Sequence, residues 1–174
     1  MNKPLILVVE DDPSVRNLIT TTLKTNDYRY VVAPNGSAAI MEATSHNPEI
    51  ILLDLGLPDM DGIQVIQTVR SWSNVPIIVI SARSEDNDKI KALDAGADDY
   101  LTKPFSVEEL LARLRVTQRR LSLMTAEMFT ASSVFVNGKL KVDYAGGCAY
   151  LDENELHLTP IEYKLLCLLS KNVG

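Results

Sequence analysis

Five apolar residues run directly into three acids in the stretch Leu5-Ile6-Leu7-Val8-Val9-Glu10-Asp11-Asp12. The apolar run is continuous rather than alternating, which is typical of a strand covered on both faces in a parallel sheet. Similar runs occupy residues 50–53, which end in Asp54, and residues 77–80, which end in Ser81. A weaker fourth run, residues 100–102, leads into Lys103-Pro104. Because the carboxyl ends of parallel strands meet at one edge, these polar side chains are expected to lie together where open α/β sheets hold their sites.

Helical patterns separate these runs. Asp12 and Pro13 form an N-cap and first-turn pair, and four apolar residues then fall on one helix face: Val15, Leu18, Ile19 and Leu23. A second strand is predicted at residues 28–33, and further helices are predicted at residues 36–44, 62–71 and 85–94. A last helix begins after a capping box at Ser106 and extends to about Arg120. Five β-α units in about 120 residues, joined by right-handed crossovers, predict a doubly wound α/β sheet.

The pattern changes after this unit. Residues 121–130 are interpreted as a linker or a frayed helix end. Short strands are then predicted at residues 133–136, 140–142, 148–151 and 155–158, separated by turns at Asn137-Gly138, residues 145–147 and residues 152–154. The segment Thr159-Pro160-Ile161-Glu162 opens a helix whose apolar stripe is Ile161, Leu165, Leu168 and Leu169. An antiparallel meander with one helix has a thin core, so this second unit is expected to be incomplete and to expose part of that stripe.

Composition excludes several classes of protein. The 174-residue chain has a net charge of −6, divided as −4 over residues 1–120 and −2 over residues 121–174, so neither part has the basic excess of a nucleic-acid surface. Its two cysteines, Cys148 and Cys167, give no indication of an oxidising compartment. No run approaches the roughly 18 apolar residues of a membrane span, and no signal peptide is evident. These features predict a soluble cytoplasmic protein.

The polar residues at the strand ends suggest phosphoryl chemistry. Three neighbouring carboxylates, Glu10, Asp11 and Asp54, would repel one another unless a hard divalent cation such as Mg²⁺ bound between them. Asp54 could then attack a phosphoryl donor, with Lys103 supplying positive charge and Ser81 a hydroxyl donor. The Lys103-Pro104 bond is a candidate for the cis form, which is almost confined to proline.

Each residue also has an ordinary structural interpretation. An acid at a strand end is commonly a helix N-cap, as expected for Asp12, and a Lys-Pro pair is commonly a surface turn. Ser81 alone could cap the next helix, and Tyr100 alone could belong to the core. The combination favours the phosphoryl site, because four separate strand ends carry compatible groups.

Four segments together are similar to the receiver domain of two-component response regulators. They are Val8–Asp12, Leu53–Gly62, Ser81–Arg83 and Gly96–Phe105. The Gly-Ala-Asp-Asp-Tyr stretch at residues 96–100, the meander and the segment Leu158-Thr159-Pro160-Ile161-Glu162-Tyr163 resemble the OmpR/PhoB family. Within that family, residues 55–58, 70–73 and 81–84 most resemble a regulator of potassium transport.

The resemblance implies a flavodoxin-like (βα)5 receiver with a five-stranded parallel sheet of order 2-1-3-4-5. It implies that Asp54 accepts a phosphoryl group from a sensor histidine kinase. Glu10, Asp11, Asp54 and the Gly56 carbonyl would set the Mg²⁺ site, directly or through water, and Ser81 and Lys103 would contact the phosphoryl group. On phosphorylation Ser81 would turn inward and Tyr100 would follow, as a two-state element biased by a local charge.

Family members form homodimers through the fourth helix, fifth strand and fifth helix when phosphorylated. The matching positions here form three opposite-charge pairs: Lys89 with Glu109, Asp94 with Arg120, and Asp99 with Arg113. The alternative is a solvated charged face, because exposed pairs contribute only about 0–1 kcal/mol.

The resemblance also implies three segments: a receiver at residues 1–120, a linker at 121–130, and the beginning of a winged-helix effector at 131–174. The sequence ends before a recognition helix and a wing, so promoter DNA is an expected partner of a full-length regulator rather than of this chain. No membrane partner is expected.

Two other functions fit part of the pattern. A Mg²⁺-dependent phosphatase of the haloacid-dehalogenase type also uses an aspartyl phosphate, but it carries a second acid two residues after the nucleophile, where this chain has Gly56. A receiver that acts only as a phosphorelay adaptor would not need the meander. The favoured function is therefore a phosphorylation-controlled transcription regulator, not an enzyme beyond self-catalysed phosphorylation and dephosphorylation.

Overall fold

The structure, a computed structural model, describes residues 3–131, 134–143 and 146–171. The chain divides into two compact units, with the boundary between Gln118 and Arg119. In the described part of the chain, no helix is both long enough and apolar enough to cross a membrane. Cys148 and Cys167 are free thiols.

The first unit is a parallel sheet with helices between its strands. Its strands are β1 (Leu5–Val9), β2 (Arg29–Ala33), β3 (Ile50–Leu53), β4 (Ile77–Ser81) and β5 (Asp99–Thr102). It contains the helices α1 (Pro13–Thr25), α2 (Gly36–His46), α3 (Gly62–Arg70) and α4 (Asp86–Ala95), and α5 (Val107–Ala131) begins in it and continues past the boundary at Gln118. The sheet order is β2-β1-β3-β4-β5, and every neighbouring pair is parallel. The predicted flavodoxin-like fold and strand order are confirmed.

The three central strands form the core, as their continuous apolar sequences predict. All residues of β3 and β4 are buried, and so are residues 6–9 of β1. Helices cover the sheet with small or branched side chains, such as Ala39 and Ala43 of α2 and Ile66 of α3. Burial on both faces leaves the strand ends as the places where polar side chains reach water.

The prediction that Leu18 belongs to the apolar face of α1 that packs on the sheet is wrong. Leu18 is 44% exposed, whereas Ile19, Thr22 and Leu23 are buried. The helix places Thr22 toward the sheet, and its hydroxyl is satisfied because it donates to the Leu18 carbonyl at 2.8 Å. Thr22 can therefore be buried without leaving an unsatisfied hydroxyl.

Helix α5 is longer than predicted. It ends at Ala131 rather than near Arg120, so residues 121–130 continue the helix, which agrees with the alternative of a helix end and not with a linker. The physical reason is composition, because this segment contains leucine, methionine, alanine and glutamate, which favour helix, and lacks glycine and proline.

The second unit is an antiparallel sheet followed by one helix. It consists of β6 (Val134–Asn137), β7 (Leu140–Asp143), β8 (Cys148–Leu151), β9 (Asn154–Leu156) and α6 (Pro160–Lys171). Neighbouring strands pair in order as the predicted meander. Ser133 and Ala145, predicted to begin a strand and a turn, lie outside the described residues, as do residues 172–174.

Helix α6 begins with the predicted capping box. The Thr159 N–H donates to Glu162 at 2.7 Å, and the Glu162 N–H donates to the Thr159 hydroxyl at 3.4 Å. Four residues of its apolar stripe are exposed, as expected for a thin core: Ile161, Leu165, Leu168 and Leu169.

Candidate functional site

The ladder of the parallel sheet brings the predicted site residues to one edge. Glu10 follows β1, and its N–H donates to the Ala33 carbonyl at 3.2 Å. Asp54 follows β3, and its N–H donates to the Val9 carbonyl at 2.9 Å. Lys103 follows β5, and its N–H donates to the Ser81 carbonyl at 2.8 Å. Backbone pairing therefore continues just beyond the strands and fixes where each side chain begins.

Lys103 links two buried carboxylates. Its ammonium donates to Glu10 Oε2 at 2.7 Å and to Asp54 Oδ2 at 3.0 Å. The Glu10 side chain is 1% exposed and that of Asp54 is 10% exposed, so these ion pairs are weakly screened by water. The Lys103-Pro104 peptide is cis, as predicted.

Burial and ion pairing act in opposite directions on the pKa values of Glu10 and Lys103. Loss of water raises the pKa of Glu10, although hydrogen bonds from Lys103 and from the Asp12 N–H oppose the rise. Burial also disfavours the charged form of Lys103, but its bonds to Glu10 and Asp54 outweigh that effect and raise the pKa of the ammonium. Lys103 therefore stays protonated at neutral pH and supplies fixed positive charge beside Asp54.

The carboxylates meet the chemical requirements of a magnesium site. Glu10, Asp11 and Asp54 each offer an oxygen, and these oxygens lie within 4.8 Å of one another. Oxygen ligands are those that Mg²⁺ prefers, and the exposed Asp11 leaves the group open to solvent. The Gly56 N–H donates to Asp54 Oδ1 at 3.1 Å, which orients that carboxylate. The role of the Gly56 carbonyl as a ligand stays a prediction.

Ser81 and Tyr100 meet at the loop between β4 and α4. Ser81 is 1% exposed, and its Oγ accepts from the Arg83 N–H at 3.2 Å. It does not cap α4, whose N-cap is Glu85. The Tyr100 hydroxyl donates to the Arg83 carbonyl at 2.7 Å, and its half-buried ring packs against the core. Burial raises the pKa of Tyr100, so its hydroxyl remains a donor at neutral pH.

One of the charge pairs predicted between two subunits forms within this single chain. Arg113 donates to Asp99 at 3.0 Å and lies 3.8 Å from Glu109, one helical turn away. Lys89 and Asp94 lie on α4, and Arg120 lies on α5. Use of these groups between subunits stays a prediction, and it would require Arg113 to share or exchange its present partners.

Three sets of contacts near the site were not predicted from the sequence. Arg16 donates to the carbonyls of Glu10 and Asp11 at 3.0 and 3.2 Å. Asp59 accepts from the first turn of α2, and Asp61 forms an ion pair with Arg83. The only signal was local, because aspartates in a Pro-Asp-Met-Asp-Gly segment indicate turns and caps. The partners of Asp59 and Asp61 lie 22 or 23 positions away in the sequence, so no local pattern indicated these contacts.

Comparison with known proteins shows the family to which the chain belongs. Residues 6–115 match the model of the response regulator receiver domain. The KDP operon transcriptional regulatory protein KdpE of Escherichia coli is 47% identical over 169 residues, which cover 97% of this chain and 73% of that protein.

Solved structures give the same result. The BeF₃-activated receiver domain of Klebsiella pneumoniae RstA aligns with a TM-score of 0.64 and 36% identity, over 66% of this chain and 98% of that one. The OmpR/PhoB homologue DrrB of Thermotoga maritima aligns with a TM-score of 0.59 and 27% identity, over 99% of this chain and 74% of that one. The chain therefore belongs to the response regulators of two-component systems, is of the OmpR/PhoB type and is similar to KdpE.

Proposed function

We propose that Asp54 is the phosphoacceptor of this response regulator and that a sensor histidine kinase is the donor. The observation that carries the proposal is the placement of the Lys103 ammonium, 3.0 Å from Asp54 Oδ2 and 2.7 Å from Glu10 Oε2. A fixed cation beside a nucleophilic carboxylate suits phosphoryl transfer, in which charge spreads over the oxygens of the transferred group.

Each residue of the site has a separate role in phosphoryl transfer. An Asp54 oxygen forms the new bond to phosphorus while the bond from phosphorus to the donor's leaving atom breaks. Lys103 attracts the phosphoryl oxygens, and the Ser81 hydroxyl has a proton to donate to one of them. Mg²⁺, when bound, supplies further positive charge to those oxygens; Glu10, Asp11 and Asp54 would hold it, together with the Gly56 carbonyl.

The consequence of phosphorylation is proposed to be dimerisation and control of transcription. Ser81 and Tyr100 each form a hydrogen bond with the backbone of Arg83, and this shared segment supports coupling between the two side chains. The face formed by α4, β5 and α5 carries the charged residues predicted to pair between subunits. Similarity to KdpE, which is named as a regulator of the KDP operon, supports transcription of potassium-uptake genes as the output.

The phosphoacceptor is tested by mass spectrometry of the intact chain. Incubation with acetyl phosphate and Mg²⁺ should add one phosphoryl group to the wild type and none to Asp54→Asn. The matched control is Asp12→Asn, because Asp12 is a neighbouring acid that caps α1 and asparagine caps a helix equally well. Labelling that persists in Asp54→Asn would show that another residue accepts the group.

Lys103→Ala tests the role of the ammonium. We expect beryllofluoride with Mg²⁺ to drive dimerisation of the wild type but not of Lys103→Ala, because the variant lacks the positive charge beside Asp54. Sedimentation velocity measures the dimer fraction, and circular dichroism checks that the variant is folded. The matched control is Lys139→Ala, whose ion pair with Asp152 is largely exposed. Normal dimerisation of Lys103→Ala would contradict the assigned role.

A further inference from the structure

Arg83 is the common partner of both switch residues. Its backbone N–H donates to Ser81 Oγ at 3.2 Å, and its backbone carbonyl accepts from the Tyr100 hydroxyl at 2.7 Å. A single peptide segment therefore connects a buried serine at the end of β4 to a tyrosine of β5. Movement of that segment would change the geometry of both hydrogen bonds.

The Arg83 side chain ties this segment to a different loop. Its guanidinium donates to Asp61 Oδ2 at 2.9 Å, with the two side chains 36% and 39% exposed. Asp61 is itself well anchored, because its Oδ1 accepts from the Ile63 N–H at 2.9 Å as the N-cap of α3. Asp61 also bridges to Gly56, in the loop that follows Asp54. The ion pair thus joins the β4–α4 loop to the loop of the phosphoacceptor.

We propose that the Arg83–Asp61 ion pair holds the Arg83 carbonyl where it accepts the Tyr100 hydroxyl, and thereby stabilises the inward position of Tyr100. Arg83 is then a positioning residue for the switch and touches no phosphoryl group. The inference rests on the proposed function and on the expectation, implied by the family resemblance, that Tyr100 turns inward on phosphorylation. By linkage, whatever stabilises the phosphorylated form also strengthens binding of a phosphoryl mimic at Asp54.

The size of the effect follows from exposure. A pair about one-third exposed is partly screened by water, so its loss should shift the switch modestly, by about two- to fivefold. Arg83→Ala and Asp61→Asn should each raise the beryllofluoride concentration for half-maximal dimerisation by that factor. Asparagine keeps the cap of α3, so Asp61→Asn removes the charge without removing the anchor.

The experiment is a double-mutant cycle on the full chain. Wild type, Arg83→Ala, Asp61→Asn and the double variant are titrated with beryllofluoride at saturating Mg²⁺, and sedimentation velocity gives the dimer fraction. The double variant should shift no further than either single one, because both substitutions remove the same interaction. Arg83→Lys, which keeps a cation, should recover part of the shift, and urea unfolding separates this effect from general destabilisation.

Arg29→Ala is the matched control. Arg29 also forms an ion pair, with Glu49 at 3.8 Å, but it lies at the start of β2, away from the carboxyl ends of the strands. Suppose that the wild type dimerises with beryllofluoride. The inference would then be overturned, and the proposed function kept, by either of two results: additive shifts of the two single variants, or half-maximal dimerisation of Arg83→Ala at the same or a lower beryllofluoride concentration than the wild type. A wild type that shows no response to beryllofluoride would overturn the proposed function and this inference with it.

Discussion

Asp59 joins the loop after Asp54 to the first turn of α2. Its Oδ1 accepts from the Gly36 N–H at 2.8 Å, and its Oδ2 accepts from the N–H and the hydroxyl of Ser37 at 2.9 and 2.8 Å. The bonds from Ser37 and Gly36 hold the pKa of Asp59 at about 2, against 3.8 for the ordinary side chain. Because the folded-state pKa is the lower one, the ionised carboxylate stabilises the fold fully above pH 3.8, and this contribution is lost as the pH falls toward 2.

We therefore predict that Asp59→Asn is less stable than the wild type at neutral pH and that the difference narrows between pH 3.8 and about 2. Asparagine fills the same space but has no charge, so its own contribution does not titrate there. Urea midpoints measured across this range provide the test. Ser37→Ala is the control, because it removes one hydrogen bond and keeps both N–H donors. A gap between Asp59→Asn and the wild type that stays constant down to pH 2 would contradict the assignment.

Individual residues differ in how far the sequence reveals them. Glu10, Asp54 and Lys103 were predictable because each lies directly after a strand, and strand ends converge in any parallel sheet. The ion pair of Asp61 with Arg83 was not, because the partners belong to different loops 22 positions apart. Such contacts depend on how two loops fold over the same edge, which no local pattern encodes.

Helix α3 begins at a glycine that lies against the backbone of Asp54 and Leu55. A Cβ on Gly62 would lie 2.5 Å from the Asp54 carbonyl oxygen and 2.6 Å from Leu55 Cα, closer than any real contact allows. Gly62 also donates its N–H to the Leu55 carbonyl at 2.9 Å, so the helix cannot move away without losing that bond. The start of α3 is thus fixed by close approach of two backbones.

We predict that Gly62→Ala lowers the free energy of unfolding by about 1–3 kcal/mol, because overpacking outweighs the higher helix propensity of alanine. Gly36→Ala is the matched control. Gly36 is likewise the first residue of its helix, but a Cβ there would meet side chains, those of Met60 and Val65, and not backbone. Denaturant unfolding of both variants provides the measurement. A loss for Gly36→Ala as large as that for Gly62→Ala would show that backbone contact is not the cause.

Sequence patterns identified the elements better than their ends or their order. Continuous apolar runs predicted the strands, and caps predicted the starts of α1 and α6. The end of α5 was missed because no glycine or proline marks it, and helix length then depends on tertiary contacts. Strand order came from the family resemblance, since right-handed crossovers alone permit several orders.

The two units of the chain differ in how much apolar surface they bury. The first has five strands, and the three central ones are buried at every residue except Leu5. In the second, as far as the structure describes it, the fully buried apolar side chains are Val142 and Ala149. A small unit with so thin a core has little stability of its own, because the fraction of surface buried on folding falls with size. Local opening should therefore be far more frequent in the second unit than in the first.

We predict that core substitutions act only within their own unit. Val142→Ala should lower the free energy of unfolding of the second unit by about 2 kcal/mol. Hydrogen exchange should therefore be faster across residues 134–171 and unchanged across residues 3–118. Ile66→Ala, at a fully buried position of α3, should lower the free energy of unfolding of the first unit by about 2–5 kcal/mol and speed hydrogen exchange in that unit alone. Each variant is the control for the other, and mass spectrometry of peptides from the full chain reports both regions at once. Faster exchange in both units after either substitution would mean that they unfold together, and the two cores would then have to be treated as one cooperative structure.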